Sequence, residues 1–502
     1  MEVQSLVSYT ARRIRPAMHP CQQCKRLKRR CDRELPECSL CTRTHRPCEY
    51  PPGSMPASPK EAQLSPGILL DIPINRFPGT YFFDRRVFND CHMSIERGHL
   101  PPSSVALNDW TSTDEIRQIA NKYFASVHLW FPIINRSKFY GSFLHGSVEA
   151  DVEISLLAMC MQLLGSRSSN GLQAPDTVYI SIRQAFVQLE QAGVLNITVL
   201  QALLLTALYE IGNGIYPAAY LTIGNCARYA VALDLDREIL NWNHDASDWV
   251  VMEEKHRAWW AVLILDRYIN IGCPRRALCT PDPIQLEYLP MADDDWNQGT
   301  RINAPPHRLS TPVEVKMGKF ARLAQATHLL GRVLRHIRDP TTDEAFLSEE
   351  RGALDRALRS LLSLTVDEEM AETDTAFCSP MALLGSALLT LHSESSGVLS
   401  DTLAESPVEA NRKNYNMAIE TNSQVVLPVA HRIRDCWPSA PRYPSPLVLD
   451  WMYRCIVACN GFQKDNHSSL YETCIEDVKE AMKLLSRQWA IGDLYFKLLD
   501  IA

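Results

Sequence analysis

The stretch CQQCKRLKRRCDRELPECSLCTRTHRPC, residues 21–48, carries six cysteines in one spacing that is used twice. Each half follows the pattern Cys-x2-Cys-x6-Cys, and the second half repeats the first 17 positions later. The whole chain has 16 cysteines, and a chance match of all six spacings has a probability below about one in a million. The segment therefore predicts a dedicated metal site that folds as a compact module.

The number of cysteines indicates how many metal ions the segment binds. Zinc prefers four tetrahedral ligands, and thiolates suit it well. Six cysteines overfill one site, whereas two zinc ions need eight ligand positions, which six thiolates supply only if two of them bridge. The duplicated spacing indicates the equivalent first cysteines, Cys21 and Cys38, as the bridges. A zinc ribbon or a redox motif would leave two cysteines unexplained.

The start of the chain, MEVQSLVSYTARRIR, lacks the apolar core of a signal peptide. The longest apolar runs elsewhere are too short to span a bilayer. We therefore expect an intracellular protein without a membrane partner, in which reduced thiols favour metal binding over disulfides.

The charge of the chain is divided unevenly. Residues 11–50 hold 11 Lys and Arg against 4 Asp and Glu, a net charge of +7. The whole chain carries −7, so the remainder carries −14. A small cationic module on an acidic body is typical of a nucleic-acid-binding protein. We expect the metal to fix a short helix after Cys24, whose basic side chains face DNA.

These features together resemble the fungal binuclear zinc-cluster DNA-binding domain, in the family of the yeast galactose regulator. The family pattern is C-x2-C-x6-C, a loop with proline, then C-x2-C-x6-C, and Pro36 stands at the loop proline. The resemblance implies two Zn2+ per chain with Cys21 and Cys38 as bridges. The implied zinc ligands are Cys21, Cys24, Cys31, Cys38, Cys41 and Cys48.

The resemblance also implies roles for the basic run between Cys24 and Cys31. Lys28 would read the bases of a CGG-type triplet in the major groove. Leu27 departs from the family, in which that position is often basic. The remaining basic residues would mainly hold phosphates: Lys25, Arg26, Arg29 and Arg30.

We predict a mostly α protein, with a small two-zinc DNA-binding module and a large all-α regulatory domain. The linker contains seven prolines between positions 51 and 78 and no heptads, so it does not predict a coiled coil. Either the body forms a homodimer, or the protein binds one half-site as a monomer. The predicted segments are a basic N-terminal arm (1–20), the zinc-cluster domain (21–50), a Pro-rich linker (51–85), the family's middle homology region (86–300) and a C-terminal helical part (301–502).

The body shows helical periodicity throughout. Capping boxes at Thr311-Pro312-x-Glu314 and at Ser469-x-x-Glu472 predict two helix starts. Glu253 and Arg257, at i,i+4 spacing, are interpreted as a structural ion pair. Three stretches resemble the family's middle homology region: 123–134, 203–235 and 253–267. One departure is Asp234, where the family often has glycine.

No nucleophile elbow, His-Glu-x2-His or Walker motif occurs, so we expect a regulator and not an enzyme. The leading hypothesis is a nuclear RNA polymerase II transcription factor that binds CGG-like half-sites in double-stranded DNA. Its targets would be pathway-specific genes, such as a biosynthetic gene cluster, which it would activate. The alternative is a metabolite-binding or enzymatic helical protein that carries a zinc module for nuclear or DNA targeting.

The body is expected to bind further partners. A small-molecule effector, a coregulator and a second copy of the chain are all compatible with a helical regulatory domain. The acidic-hydrophobic stretch at 366–372 is a candidate contact for the transcription machinery, although a solvated loop is the simpler interpretation.

Overall fold

The computed structural model describes residues 19–34, 37–50, 113–145, 152–165, 177–240, 248–299, 306–339, 343–371, 379–393, 405–437, 445–466 and 469–501. Most of the predicted N-terminal arm, the whole predicted linker and Pro36 lie outside these residues. The chain divides into two units, a cysteine-rich module and a helical body, and each is described by itself.

The cysteine-rich module contains two short helices, α1 (Gln22–Arg26) and α2 (Ser39–Arg43), which start 17 residues apart like the sequence repeat. The described part of the body consists of helices joined by turns and a 3-10 helix at Val127–Leu129. The body helices are α3 Thr113–Phe124, α4 Arg136–His145, α5 Val152–Gly165, α6 Thr177–Gln191, α7 Ile197–Gly212, α8 Ala218–Ala232, α9 Leu235–Glu238, α10 Trp249–Tyr268, α11 Asp293–Gln298, α12 Lys319–Arg338, α13 Glu344–Ala371, α14 Ser379–Ser393, α15 Glu405–Cys436, α16 Pro446–Asn466, α17 Glu472–Leu485 and α18 Ile491–Ile501.

The prediction of a mostly α protein with a small cysteine-rich module is confirmed. In the described ranges, β pairing is limited to one isolated antiparallel bridge, between Tyr288 and Arg308. None of the described helices combines the length and the apolar character needed to cross a bilayer.

Two helices form the centre of the body because they are mainly apolar and have no polar face. In α7, every residue from Val199 to Gly212 is buried, and in α14 every residue from Ser379 to His392 is buried. A helix that is apolar all round must be covered on all faces. Around α7 pack α5 and α8, around α14 pack α12, α13, α15 and α16, and α10 joins the two groups by packing on α8 and α12.

Each central helix carries a glycine that lets a tryptophan approach its backbone. The indole of Trp489 lies on Gly212 in α7, and the indole of Trp451 lies on Gly385 in α14. A Cβ atom at either glycine would collide with the ring. Both tryptophans are fully buried, so these close contacts fix the C-terminal helices against the core.

The turn that follows α8 uses a left-handed backbone at Asp234, with φ of 58°. Glycine adopts this conformation without steric cost, and Asp is among the few other residues that tolerate it. The departure from glycine at this position is therefore compatible with the same turn.

The two predicted helix starts have different outcomes. A helix does follow Ser469, but the capping box does not form, because the helix begins at Glu472 and its N-cap is Tyr471, without a side-chain capping bond. The capping box at Thr311 is wrong, because α12 begins only at Lys319. The Thr311 hydroxyl accepts a hydrogen bond from the Arg308 amide at 3.0 Å and so closes a turn.

The interpretation of the acidic stretch at 366–372 as a solvated loop is also wrong. Its described residues belong to the last turns of α13. Arg322 on α12 donates to both carboxylate oxygens of Glu368, at 2.9 and 2.6 Å, and Glu369 is buried. Packing against α12 therefore keeps this acidic segment helical.

A buried ion pair on α10 holds the loop before α11 in place. Arg257 donates from Nε to Glu253 at 2.7 Å, which confirms the predicted structural pair. Glu253 also accepts the Met291 amide at 2.9 Å, while Arg257 donates to Asp293 at 2.6 Å. Burial alone would raise the pKa of Glu253, but the charge of Arg257 and the hydrogen bonds outweigh it and lower the pKa.

Substitution of Glu253 with alanine should destabilise the body by about 3 kcal/mol, because it removes the acceptor of the buried Arg257 Nε and of the Met291 amide. Glu476→Ala, which removes an exposed i,i+3 partner of Lys479, should leave the free energy of unfolding nearly unchanged. Denaturant unfolding of both variants measures this difference. Equal stabilities would contradict a structural role for the Glu253 pair.

The loss of stability caused by Glu253→Ala should depend on pH, and the pKa of Glu253 gives the direction. Because the pKa of Glu253 is lower in the folded state, its stabilisation is complete above the unfolded pKa of about 4.3. It is lost as the pH falls through the folded pKa. The stability gap between wild type and Glu253→Ala should therefore narrow below pH about 4.

Candidate zinc cluster and nucleic-acid interface

The six cysteines of the module converge on one small buried region. Cys21, Cys24, Cys38 and Cys41 are buried, and Cys31 and Cys48 pack against them. The Sγ atom of Cys21 lies 3.8 Å from that of Cys38 and 3.7 Å from that of Cys41, and the Cys24 and Cys38 sulfurs are 3.6 Å apart. Ligands on a tetrahedral zinc with Zn–S bonds of about 2.3 Å are about 3.8 Å apart. The observed sulfur spacing therefore fits a zinc-thiolate site.

The sulfurs form two groups of four that have two members in common. One group contains Cys21, Cys24, Cys31 and Cys38, and the other contains Cys21, Cys38, Cys41 and Cys48. Within each group, all sulfurs lie within 4.8 Å of one another. Cys24 and Cys41 belong to different groups, yet their sulfurs are also only 3.9 Å apart. A single sulfur–sulfur distance therefore does not identify Cys21 and Cys38 as the shared pair. Their membership of both groups does.

The close packing of the thiols favours a bound cation. Burial and the neighbouring thiols raise the pKa of Cys41 to about 11. Burial also raises the pKa of Cys48 to about 12. Thiols this close cannot all ionise unless a positive charge compensates them, and zinc binds the thiolate form. The donor set thus fits zinc both in geometry and in charge.

Local hydrogen bonds explain why the sequence folds around this cluster. Cys21 is the N-cap of α1, and its sulfur accepts from the Cys24 amide at 3.4 Å. Asp32 accepts from the Ser39 amide at 3.1 Å, which ties the connecting loop to the start of α2. The Gln22 amide donates to Glu49 O at 2.7 Å and joins the two ends of the module. Asp32 and Glu49 were not singled out from the sequence, because loop carboxylates and backbone pairs carry no spacing signal.

The basic run lies on the outside of the cluster. Its five cationic side chains are exposed, and in the described part of the module none of them forms an ion pair. The predicted helix after Cys24 is wrong in its bounds, because α1 contains Cys24 and ends at Arg26. The chain turns sharply at Lys28, which has a left-handed φ of 49°. The last turn of α1 carries Lys25 and Arg26, and the turn and extended segment after it carry Lys28, Arg29 and Arg30.

The two halves of the module share their backbone conformation as well as their spacing. Lys28 and His45 are equivalent positions, and their φ angles are 49° and 50°. The Arg29 amide donates to Cys24 O at 3.0 Å, and the equivalent Arg46 amide donates to Cys41 O at 3.1 Å. The 17-residue repeat was a signal for this local symmetry, although the sequence did not indicate the left-handed turn.

The module and the body each match a protein-family model. Residues 19–56 match the fungal Zn(2)-Cys(6) binuclear cluster domain, and residues 120–368 match the fungal specific transcription factor domain. The second match includes the three stretches at 123–134, 203–235 and 253–267.

The chain is also similar to curated proteins that are named as fungal transcription factors. The chain is 35% identical over 159 residues to "Transcription factor BOA15" of Botryotinia fuckeliana, which covers 31% of this chain and 89% of that protein. It is 25% identical to "Depudecin biosynthesis cluster-specific transcription activator DEP6" of Fusarium langsethiae, over 52% of this chain and 57% of the relative. It is 23% identical to "Azaphilone cluster-specific transcription factor azaR" of Aspergillus niger, over 63% of this chain and 71% of that relative.

These relatives are transcription factors, which favours a regulator over an enzyme. The cysteine cluster matches the zinc-binding domain of the same family, so the module is a zinc-binding one. The chain belongs to the family of fungal binuclear zinc-cluster transcription factors.

Proposed function

We propose that this protein is a nuclear, sequence-specific DNA-binding regulator of RNA polymerase II transcription that recognises CGG-type half-sites. The observation that carries the proposal is the array of five exposed cations, which form no ion pair within the described part of the module, beside the six-thiol cluster. Pathway-specific control, such as activation of a biosynthetic gene cluster, is supported by the printed names of relatives that regulate the depudecin and azaphilone clusters.

The cations suit both parts of DNA recognition. Lysine and arginine side chains neutralise phosphates, and each phosphate contact adds affinity that falls with salt concentration. The same side chains donate to guanine O6 and N7 in the major groove. Lys28, at the sharp turn after α1, is the proposed base reader, and its neighbours Lys25, Arg26, Arg29 and Arg30 are the proposed phosphate contacts.

We propose two zinc ions per chain, held by Cys21, Cys24, Cys31, Cys38, Cys41 and Cys48. Zinc supplies the positive charge that lets the thiols ionise and pack together. The two shared members, Cys21 and Cys38, are the N-caps of α1 and α2. A metal bound by both would therefore fix the two helices relative to each other within the module.

The body is the proposed regulatory part, in segments 86–300 and 301–502, and the proposed linker is 51–85. A single cluster makes few base contacts, so we propose that two chains pair through the helical body to bind two half-sites. Effectors or coregulators would act on the same body.

Selection of bound sequences from random DNA, followed by a salt titration, tests the function as a whole. The expected result is enrichment of a CGG-like triplet, with affinity that falls steeply as salt increases and a large ratio of specific to nonspecific binding. No enriched sequence, or turnover of a metabolite by the protein, would contradict the proposal.

Substitution of Lys28 with alanine should weaken binding to the selected site by roughly 1–3 kcal/mol, because it removes donors to guanine. His45→Ala is the matched control, since His45 has the same backbone conformation in the second half of the module. Fluorescence anisotropy on selected and scrambled duplexes measures both variants. If the two substitutions weaken specific binding equally, Lys28 is not the base reader.

Substitution of a shared cysteine should affect both metal sites, whereas substitution of an unshared one should affect one. Cys38→Ser is therefore expected to lose both zinc ions, and Cys31→Ser to retain one. Native mass spectrometry of the full chain counts the metals. Two zinc ions retained by Cys38→Ser would rule out Cys38 as a bridge.

A further inference from the structure

One apolar side chain interrupts the cationic surface of the module. Leu27 lies between Arg26 and Lys28, and 41% of its surface is exposed. Among the described residues of the module, it is the one large hydrophobic side chain in the exposed class. Single exposed leucines are ordinary on a protein surface, but this one lies within the face proposed to contact DNA.

The duplicated module shows that the fold does not require leucine at this position. Thr44 is the equivalent residue, 17 positions later, and it is the C-cap of α2 as Leu27 is the C-cap of α1. Their backbone angles are almost the same, with φ of −88° and −98° and ψ of 6° for both. Thr44 donates its hydroxyl to Leu40 O at 2.7 Å, so a polar side chain fits the same turn.

Leu27 also contributes little to the interior of the module. The residues that pack against the buried cysteines are Cys31, Leu40, Cys48 and Tyr50, and Leu27 is not one of them. Its backbone is nevertheless held firmly, because the Leu27 amide donates to Gln23 O at 3.0 Å and the next amide donates to Lys25 O at 3.2 Å. The side chain is therefore partly exposed on a backbone that hydrogen bonds hold in place.

The chemistry of the major groove offers one apolar group at a base edge. A·T pairs present the C5-methyl group of thymine there, whereas G·C pairs present only donors and acceptors. An apolar side chain beside Lys28 is accommodated best where it buries its surface against that methyl group, because against a polar base edge it would dehydrate donors and acceptors without replacing their hydrogen bonds.

From this arrangement we propose that Leu27 contacts the methyl group of a thymine adjacent to the bases read by Lys28, and so extends the specificity of the module beyond the triplet. The inference rests on the proposed function, since it requires the basic face to enter the major groove. It adds a preference that the cations cannot supply, because they donate hydrogen bonds and do not recognise a methyl group.

Uracil tests the contact directly, because deoxyuridine differs from thymidine only by that methyl group. The full-length zinc-loaded chain is first used to select sites from random DNA. Each thymine within two base pairs of the triplet is then replaced singly by uracil, and affinities are measured by anisotropy for wild type, Leu27→Ala and Leu27→Met.

The wild type should prefer thymine over uracil at one position by about fourfold, the effect expected for one buried methyl group. Leu27→Ala should lose this preference while it still binds the triplet, and Leu27→Met should keep most of it. The inference is overturned if the uracil effect persists in Leu27→Ala or is absent from wild type at every thymine. It is also overturned if Leu27→Ala lowers reporter activation with unchanged affinity, which would assign the side chain to a protein partner.

These outcomes separate the inference from the proposed function. A wild-type chain that binds its selected triplet but ignores the methyl group overturns the role of Leu27 and leaves DNA recognition standing. A wild-type chain that selects no sequence at all overturns both.

Discussion

The close packing of six thiols is the constraint on which the module depends. The two helices of the module are five residues each, far too short to persist alone in water. What joins them is the cluster, in which Cys21 and Cys38 belong to both groups of sulfurs and also begin the two helices. A compact fold thus depends on metal-thiolate bonds more than on a hydrophobic core, as is common for domains of this size.

The body depends on a different kind of constraint. Its two central helices, α7 and α14, are buried on all sides, and α10 contributes a buried ion pair between Glu253 and Arg257. The Glu253–Arg257 pair binds the loop before α11 through both carboxylate and guanidinium. A helical domain with such a core is compatible with a regulatory role. The excess of acidic residues in the rest of the chain disfavours nonspecific DNA binding outside the module.

The sequence predicted the chemistry of the module better than its geometry. Ligand counting and the 17-residue repeat singled out six cysteines that the structure brings together, because thiol spacing is tied directly to coordination. The bounds of α1 and the left-handed turn at Lys28 were missed, since they follow from hydrogen bonds that only the folded cluster makes. In the body, Thr311 matched a capping box yet closes a turn with Arg308, because its hydroxyl accepts a hydrogen bond from the backbone amide three residues earlier and does not cap a helix.

The central claim is that two zinc ions share Cys21 and Cys38. X-ray absorption at the zinc edge of the full-length, zinc-loaded chain tests it most directly. We expect a first shell of sulfur alone at about 2.3 Å together with scattering from a second zinc ion. A nitrogen or oxygen ligand in the first shell, without zinc–zinc scattering, would contradict it.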